Sequence, residues 1–415
     1  MINKYARIIK DYCYKNYYAL FRDSDGLLRY PYIVPGSCYD TDLWDWDSWL
    51  TDVALRQIVA DMSKDENFIF EYEKGCVLNF LMNTDGIGKM PIMISPKNYN
   101  MGYKTDGITN MHKPCIAQHI AFIMKNTYND TSWFCEKFSA LEKFLLRYKE
   151  NNKHICGLYF WTDDFMIGVD NDPCTFYRPN NSSASIYLNC LMYKELSAME
   201  YICEKMGLKD KKAYYHNEAE ELKKAVQDNC WDERMGFYFS ADLNLLAIDE
   251  DNWLHKGAPK HWDCLIQRIE VWTGFMAMWS EIATKEQAKR IVQEHFYNEK
   301  TFSSPFGIRS LSKLEKMYVI KGSGNPSCWL GPIWGIVNYM VFSGLLKYGY
   351  EKEARDIAEK TVLLFGRDIE SCGAMHEYYD PETGNPVIHE GFQSWNLLAL
   401  NMIAYLEDRN RIEEF

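Results

Sequence analysis

Residues 185–207 read SIYLNCLMYKELSAMEYICEKMG. Apolar side chains recur at Ile186, Cys190, Tyr193, Leu196, Met199 and Ile202. Steps of three and four residues place them on one stripe of an α-helix. Gly207 follows and can stop the helix in a left-handed conformation. The pattern returns over 332–346, through Ile333, Ile336, Val337, Met340 and Val341, with Gly349 at its end. It returns again over 351–364, through Ala354, Ile357, Ala358 and Val362. The acidic start of that segment suits the positive end of a helix dipole.

The same periodicity predicts helices over 2–18, 47–62, 67–81, 114–125, 132–148, 213–227, 270–280, 285–295 and 392–406, about a dozen in all. Strand signals are few. Residues 236–239, after Trp231 and Asp232, read as part of a small hairpin. Tyr32, Ile33 and Val34 stand between Pro31 and Pro35, which makes them a loop or an edge. Strands do not alternate with helices, which disfavours a parallel α/β sheet. No low-complexity linker divides the chain, so residues 1–415 read as one all-α domain. Helices joined by alternating short and long connections form hairpins, and six hairpins can close into a double ring, an (α/α)6 barrel. Its long connections then gather at one mouth, where binding residues are expected.

Composition narrows the function. Hydrophobic residues make up 47% and charged residues 25%, as in ordinary soluble proteins. Aromatics reach 15%, with 13 Trp and 29 Tyr, an excess that suits stacking on the apolar faces of sugar rings. The formal net charge of -12 repels phosphate backbones and argues against nucleic acid as a partner. The 13 Cys are scattered without CxxC pairs, so neither a zinc site nor a disulfide framework is expected. Free thiols at that density imply a reducing, cytoplasmic setting. The first residues carry charge and Tyr where a signal peptide needs an apolar run. No apolar stretch approaches the ~18 residues of a membrane span.

Four segments carry candidate chemistry. Residues 39–49 (YDTDLWDWDSW) hold three Trp and four Asp, rings for sugar faces and carboxylates for paired hydroxyls, or equally an N-capping Asp before buried Trp anchors. Residues 159–173 (YFWTDDFMIGVDNDP) place Asp170 in an apolar-then-polar setting that can raise its pKa, as a general acid needs. The competing reading is an Asx turn at Asp-Asn-Asp-Pro. Residues 324–334 (GNPSCWLGPIW) shape a helix start with Gly and Pro, and Trp329 and Trp334 either line a pocket or fill the core. Residues 375–384 (MHEYYDPETG) put Glu377 ahead of an Asp-Pro-Glu-Thr-Gly turn, with Phe392, Gln393, Ser394 and Trp395 beyond it.

Together these segments resemble the glycoside hydrolase family 63 group, with its mannosylglycerate and glucosylglycerate hydrolases, and the related trehalases. The likeness runs over roughly 43–395. It rests on Leu43-Trp44-Asp45-Trp46-Asp47-Ser48, Gly168-Val169-Asp170-Asn171-Asp172-Pro173, Trp329-Leu330-Gly331-Pro332-Ile333-Trp334, the stretch from Glu377 to Gly384, and Phe392 to Trp395. Lesser similarities lie in Trp231-Asp232-Glu233 to Tyr238 and in Phe302 to Ser312.

The resemblance implies an inverting α-glycosidase of the α-glucosidase kind, with Asp170 as general acid and Glu377 as general base. Trp44, Trp46 and Asp47 are then expected to hold the sugar, with Trp329 and Trp334 beneath it. Tyr39, His112, Lys113, Asn171, Arg178, Gly331, Gln393 and Trp395 complete the expected substrate site. Neither cofactor nor metal is called for, because side chains perform both proton transfers. The expected substrate is a small oligosaccharide or glycosyl conjugate, and a monomer or a homodimer is equally open. Three departures bear on the aglycone: Leu330 where the family has Arg, Cys328 where an aromatic is common, and His112-Lys113-Pro114 for Gln-Pro-Pro. Lys113, Arg178 or Arg309 remain as sources of positive charge.

A mannosylglycerate or glucosylglycerate hydrolase, or a trehalase, is the nearest alternative. A phosphorylase would need a basic pocket. A sugar epimerase on the same barrel would use paired histidines, for which His255, His261, His376 and His389 are the candidates. A non-catalytic sugar-binding protein is the remaining alternative.

Overall fold

The computed structural model describes residues 1–97, 99–101, 110–246, 251–254, 256–257, 262–322 and 324–415. Twelve α-helices are present among them: α1 (Ile2–Asn16), α2 (Asp45–Met62), α3 (Glu66–Met82), α4 (Ile116–Asn126), α5 (Phe138–Asn152), α6 (Ile186–Lys205), α7 (Lys209–Cys230), α8 (Met276–Trp279), α9 (Lys285–Arg290), α10 (Gly335–Lys347), α11 (Glu351–Cys372) and α12 (Ala399–Leu406). Even-numbered helices are followed by short connections and odd-numbered ones by long connections. No helix among the described residues is long and apolar enough to cross a membrane.

The helices differ by parity in what they bury. In α2 the run from Asp45 to Val59 is buried without interruption. In α6 the expected stripe is joined by Tyr187, Leu188, Asn189, Leu191, Met192, Glu195 and Ala198 from other faces. Such helices have neighbours all round, so a single stripe understates their burial. Helix α1, by contrast, buries only Ala6, Ile9 and Cys13. Contacts run from α2 to α4, α4 to α6, α6 to α8, α8 to α10, α10 to α12 and from α12 back to α2. Of the odd-numbered helices, α3 leans on α2, α7 on α6 and α11 on α10, while α5 packs on α3.

Polar side chains join neighbouring helices where backbone groups lack partners. Glu195 of α6 accepts from the N–H groups of Ala117 and Gln118 at 2.8 and 3.1 Å. These are first-turn donors of α4 that no intrahelical carbonyl can reach. Glu414, its side chain buried, accepts from Trp279 Nε1 at 2.9 Å, Ser343 Oγ at 2.7 Å and Tyr339 Oη at 2.5 Å. It thereby joins the end of the chain to α8 and α10.

Helix starts depart from the periodic expectation in four places, the first being α5, expected from residue 132 but preceded by a 3-10 turn at Cys135–Lys137. The segment expected as a helix over 270–280 opens with a 3-10 turn (Trp272–Phe275), and only Met276–Trp279 is α-helical. Val271 before it is extended and bridges Leu311, which tightens the first turn. Residues Ile333–Trp334 form a two-residue strand instead of a first helical turn, because they pair with Tyr379 and Tyr378. Residues Ser394–Leu398 are likewise a 3-10 turn ahead of α12.

The expected hairpin forms, with Trp231 opposite Tyr238 and Asp232 opposite Phe237. Tyr32–Ile33 is an edge, paired only with Phe21–Arg22. Short ladders also precede α2 (Leu43–Trp44 on Met93–Ser95) and α6 (Ser183–Ala184 on Ser240–Asp242). All thirteen cysteines are free thiols.

Burial pushes the Glu414 carboxyl up, but Lys347, Arg411 and its hydroxyl donors outweigh this and hold its pKa at about 2. A depressed carboxylate stabilises the fold above its unfolded pKa, and that contribution is lost as pH falls toward the folded value. Glu414→Ala should therefore cost about 3 kcal/mol at neutral pH, and the deficit should shrink as pH drops from 4.5 toward 2. Thermal unfolding of both proteins across that range checks it.

Candidate active site

The first wall of the site begins where a strand becomes a helix. Trp44 pairs with Met93, and Asp45 then opens α2. The Asp45 carboxylate accepts from Trp46 N at 2.8 Å and from Lys113, at 3.0 Å from the backbone N–H and 2.8 Å from Nζ. Both partners are almost fully buried. Burial would raise the Asp45 pKa, but the Lys113 ammonium and its N–H bring it below the usual carboxylate value. Lys113 Nζ also sits 5.3 Å from the Trp46 ring.

Asp47, two residues further on, makes no direct ion pair among the described residues and accepts from Ser394 Oγ at 3.0 Å. Its burial, with Asp45 nearby, pushes its pKa to about 7.

The second wall is the loop before α6. Gly168 is left-handed at φ 90°, and a Cβ there would lie 2.5 Å from Lys113 Cε and 2.9 Å from the Trp46 ring. Glycine lets this loop lie against the Asp45–Lys113 pair. The Asx turn forms on Asp172, whose Oδ1 accepts from Cys174 N at 3.1 Å. That leaves Asp170 outside the turn, where its Oδ2 accepts from Asn325 Nδ2 at 3.2 Å. The carboxyl of Asp170 borders the site's open space while protein surrounds it. Burial raises its pKa, against the pull of Asn325 and Lys113.

Asn171, also left-handed at φ 52°, reaches across to the third segment. Its side chain donates to Ser327 O at 2.9 Å and accepts from Trp329 N at 3.0 Å. Trp329 stacks on Trp334 with centroids 3.9 Å apart and planes 8° from parallel. Trp334 gives its indole N–H to Cys328 O at 3.0 Å. The indole nitrogens of Trp44, Trp329 and Trp395 have no partner among the described residues.

The fourth segment is a hairpin. Tyr378 and Tyr379 pair with Trp334 and Ile333 on one side and with Ile388 and Pro386 on the other. This fixes Glu377, whose N–H donates to Ile388 O at 3.1 Å. Its Oε2 bonds His389 Nδ1. Tyr39 Oη lies 3.5 Å from that same nitrogen. Burial raises the Glu377 pKa, and the bond from His389 offsets part of the rise. The same bond raises the His389 pKa.

These walls enclose a cavity of about 140 Å³ lined by Pro35, Tyr39, Trp44, Trp46, Asp47, Lys113, Met166, Gly168, Asp170, Ser327, Trp329, Trp334, Glu377, Phe392 and Trp395. Both expected catalytic carboxyls face it. A second space of about 450 Å³ adjoins it, with Asp170 and Met166 lining both.

The remaining expected residues lie elsewhere. His112 is buried between Phe80 and Phe144, with Nδ1 on Lys113 O at 2.6 Å. Arg178 pairs with Asp242 at 2.6 Å and does not line the cavity. Gly331 donates its N–H to Ser310 Oγ at 3.0 Å and lets the Tyr318 ring approach. Gln393 is buried just behind the lining. Asn171 lines the second space and braces the Trp329 segment.

Of the histidines considered for an epimerase, His255 and His261 lie outside the described residues. His376 is held by Asp368 at 2.9 Å. His389 is the functional candidate missed for this site. Regular counting back from the Asp380–Gly384 turn would have placed Ile388 opposite Glu377; a β-bulge at Tyr378–Tyr379 shifts the register and brings His389 there.

With this geometry in hand, comparison with known proteins is informative. Residues 40–395 match the family model for the mannosylglycerate hydrolase MGH1-like glycoside hydrolase domain. The chain belongs to this family. A probable trehalase of Eremothecium gossypii is 24% identical over 86% of the chain and 53% of its own length. A probable mannosyl-oligosaccharide glucosidase of Schizosaccharomyces pombe is 23% identical over 70% of the chain and 34% of its own length. The chain thus spans about half or less of these curated relatives.

Among solved structures, the GH63 mannosylglycerate hydrolase from Thermus thermophilus in complex with glucose superposes with a TM-score of 0.67. The identity is 18%, over 93% of this chain and 98% of that one. The MGH1-like domain therefore has the fold of that structure.

Within this MGH1-like site, Lys113 is bound to the protein's own carboxylate. Lys113→Met leaves Asp45 buried and unpaired and should lower stability by about 3–5 kcal/mol. Chemical denaturation of the variant, beside an Asp45→Asn/Lys113→Met double variant that recovers part of the loss, measures it.

Proposed function

We propose that this MGH1-like chain hydrolyses a small α-linked glucoside with inversion, Asp170 acting as general acid and Glu377 as general base. The observation that carries this reading is that the two carboxyls face one cavity walled by aromatic rings. Burial raises both pKa values. In its protonated form Asp170 gives its proton to the glycosidic oxygen as the C–O bond breaks. Glu377, held ionised by His389, takes a proton from a water that attacks the anomeric carbon from the opposite face. That geometry requires carboxyls about 6.5–9.5 Å apart, leaving space for the water.

The sugar lies on Trp329, with Asp47 and the free indole N–H groups of Trp44, Trp329 and Trp395 meeting its hydroxyls. The glucose in the Thermus neighbour and the glucosidase and trehalase names of relatives support glucose as the glycone. The scaffold we assign is a single (α/α)6 barrel over residues 1–415. The even-helix contact chain that returns to α2 supports it, as does the parity of connection lengths. The free cysteines support a reducing, cytoplasmic setting.

Proton NMR of the first anomer released, from trehalose, kojibiose, nigerose, maltose, isomaltose, sucrose, glucosylglycerate and mannosylglycerate, tests the reading. Release of β-sugar from an α-linked substrate is expected. Interconversion of free monosaccharides without glycoside cleavage would instead transfer the site to the epimerases. Asp170→Asn and Glu377→Gln should each lower kcat about 10²–10⁴-fold.

The profile of kcat/KM against pH should be bell-shaped. Its acidic limb, set by Glu377, should lie above the ordinary carboxylate value of 4.5. His389→Ala removes the donor that holds Glu377 ionised, so this limb should move to higher pH while the alkaline limb stays. An unmoved acidic limb excludes His389 from positioning the base.

A further inference from the structure

The second space beside Asp170 lies on the side of the general acid, so under the hydrolase reading it receives the leaving group. Its surface differs from that of the sugar pocket. Phe165, Met166, Phe176, Val319 and Leu330 supply apolar wall. Phe165 and Val319 are each 42% exposed, so a ligand in this space can reach them. Phe176 adds a ring backed by Tyr177, with centroids 4.1 Å apart. The polar lining is Asp164, Asn171, Lys321 and Asn325, besides Asp170 itself.

Charge excludes one class of leaving group. A carboxylate aglycone needs a cation, and the three candidates from the sequence are neutralised elsewhere. Lys113 pairs with Asp45, Arg178 with Asp242 and Arg309 with Glu382. Among the described residues that line the space, Lys321 is the only cation. It is exposed at the rim and faces a lining that also holds Asp164 and Asp170. Leu330, 8% exposed, presents hydrocarbon where an acid would need a guanidinium.

We infer that the space beside Asp170 binds a neutral aglycone with an apolar ring, as in an arylalkyl glycoside, and disfavours an acid such as glycerate. This rests on the hydrolase reading for the step itself. The bond between the anomeric carbon and the aglycone oxygen breaks, the Asp170 proton goes to that oxygen, water supplies hydroxyl to the sugar, and its second proton goes to Glu377. The products are free sugar and a neutral alcohol.

The test compares benzyl α-D-glucoside, methyl α-D-glucoside, maltose and glucosylglycerate. Benzyl and methyl alcohols are leaving groups of similar basicity, so their ratio reads the subsite and not the chemistry. Wild type should favour benzyl over methyl by at least about tenfold in kcat/KM, with glucosylglycerate slowest. Phe165→Ala should lower the benzyl-to-methyl ratio several-fold. Leu330→Arg should lower it too while raising glucosylglycerate relative to methyl. Phe165 lies at the surface, so its variant stays informative if Leu330→Arg misfolds.

Equal benzyl and methyl rates overturn the inference, as does a wild-type preference for glucosylglycerate or maltose over benzyl. If no glycoside is cut, the hydrolase reading fails by itself, and calorimetry decides about the subsite. Tighter binding of benzyl than methyl glucoside, lost in Phe165→Ala, keeps the apolar subsite. Equal binding removes it.

Discussion

The buried pair of Asp45 and Lys113 fixes the frame on which the site is hung. One carboxylate satisfies the first free amide of α2, the backbone N–H of the segment ahead of α4, and an ammonium that water does not reach. The ammonium stem then supplies the surface against which Gly168 rests. Three stretches far apart in sequence are brought into register by one ion pair. Burying two charges carries a large desolvation penalty, and only a fully bonded geometry offsets it. The pair also sets the electrostatics around it. Lys113 moderates the rise in pKa at Asp47 and Asp170, while Asp45 adds to the rise at Asp47.

Around this frame, short ladders do what longer loops alone could not. The N-terminal ends of α2, α6 and α10 each follow two extended residues paired to another connection. An extended residue just ahead of a helix aims its side chain with little freedom, which is how Trp44 and Trp334 come to face the same cavity. Trp329 stacks on Trp334; the Trp334 indole N–H is bound to the protein, and that of Trp329 is buried without a partner among the described residues. The rings therefore provide both an apolar floor and a hydrogen-bond donor.

Periodicity alone located all twelve helices, since apolar residues at steps of three and four leave few alternatives. It failed at helix starts where tertiary pairing outcompetes helical hydrogen bonds, as at Ile333 and Trp334, and where Val271 is drawn into a bridge with Leu311. For the site, the carboxyls and Trp residues were legible because their company is unusual for loops. Position 170 was ambiguous as an isolated Asp-Asn-Asp-Pro, and it took the fold to show that Asp172 makes the turn. Arg178 and His112 sit within or beside the telling segments, yet their partners, Asp242 and the Phe80 and Phe144 rings, come from distant sequence. No local pattern encodes such pairings. His389 was named only as an epimerase candidate, and its place beside Glu377 depends on a β-bulge that shifts the hairpin register.

The hydrogen bond between Asp47 and Ser394 joins residues 347 positions apart. With it, α12 returns to α2 and completes a chain of contacts whose other links join helices near one another in sequence. Local links can form early, whereas the last one must meet the loop-closure entropy of nearly the whole chain. Since Trp44, Asp47, Phe392 and Trp395 line one cavity, that cavity comes into being only when these two distant stretches meet. Any ligand of this cavity would stabilise the state in which both stretches are in place and draw the folding population toward it.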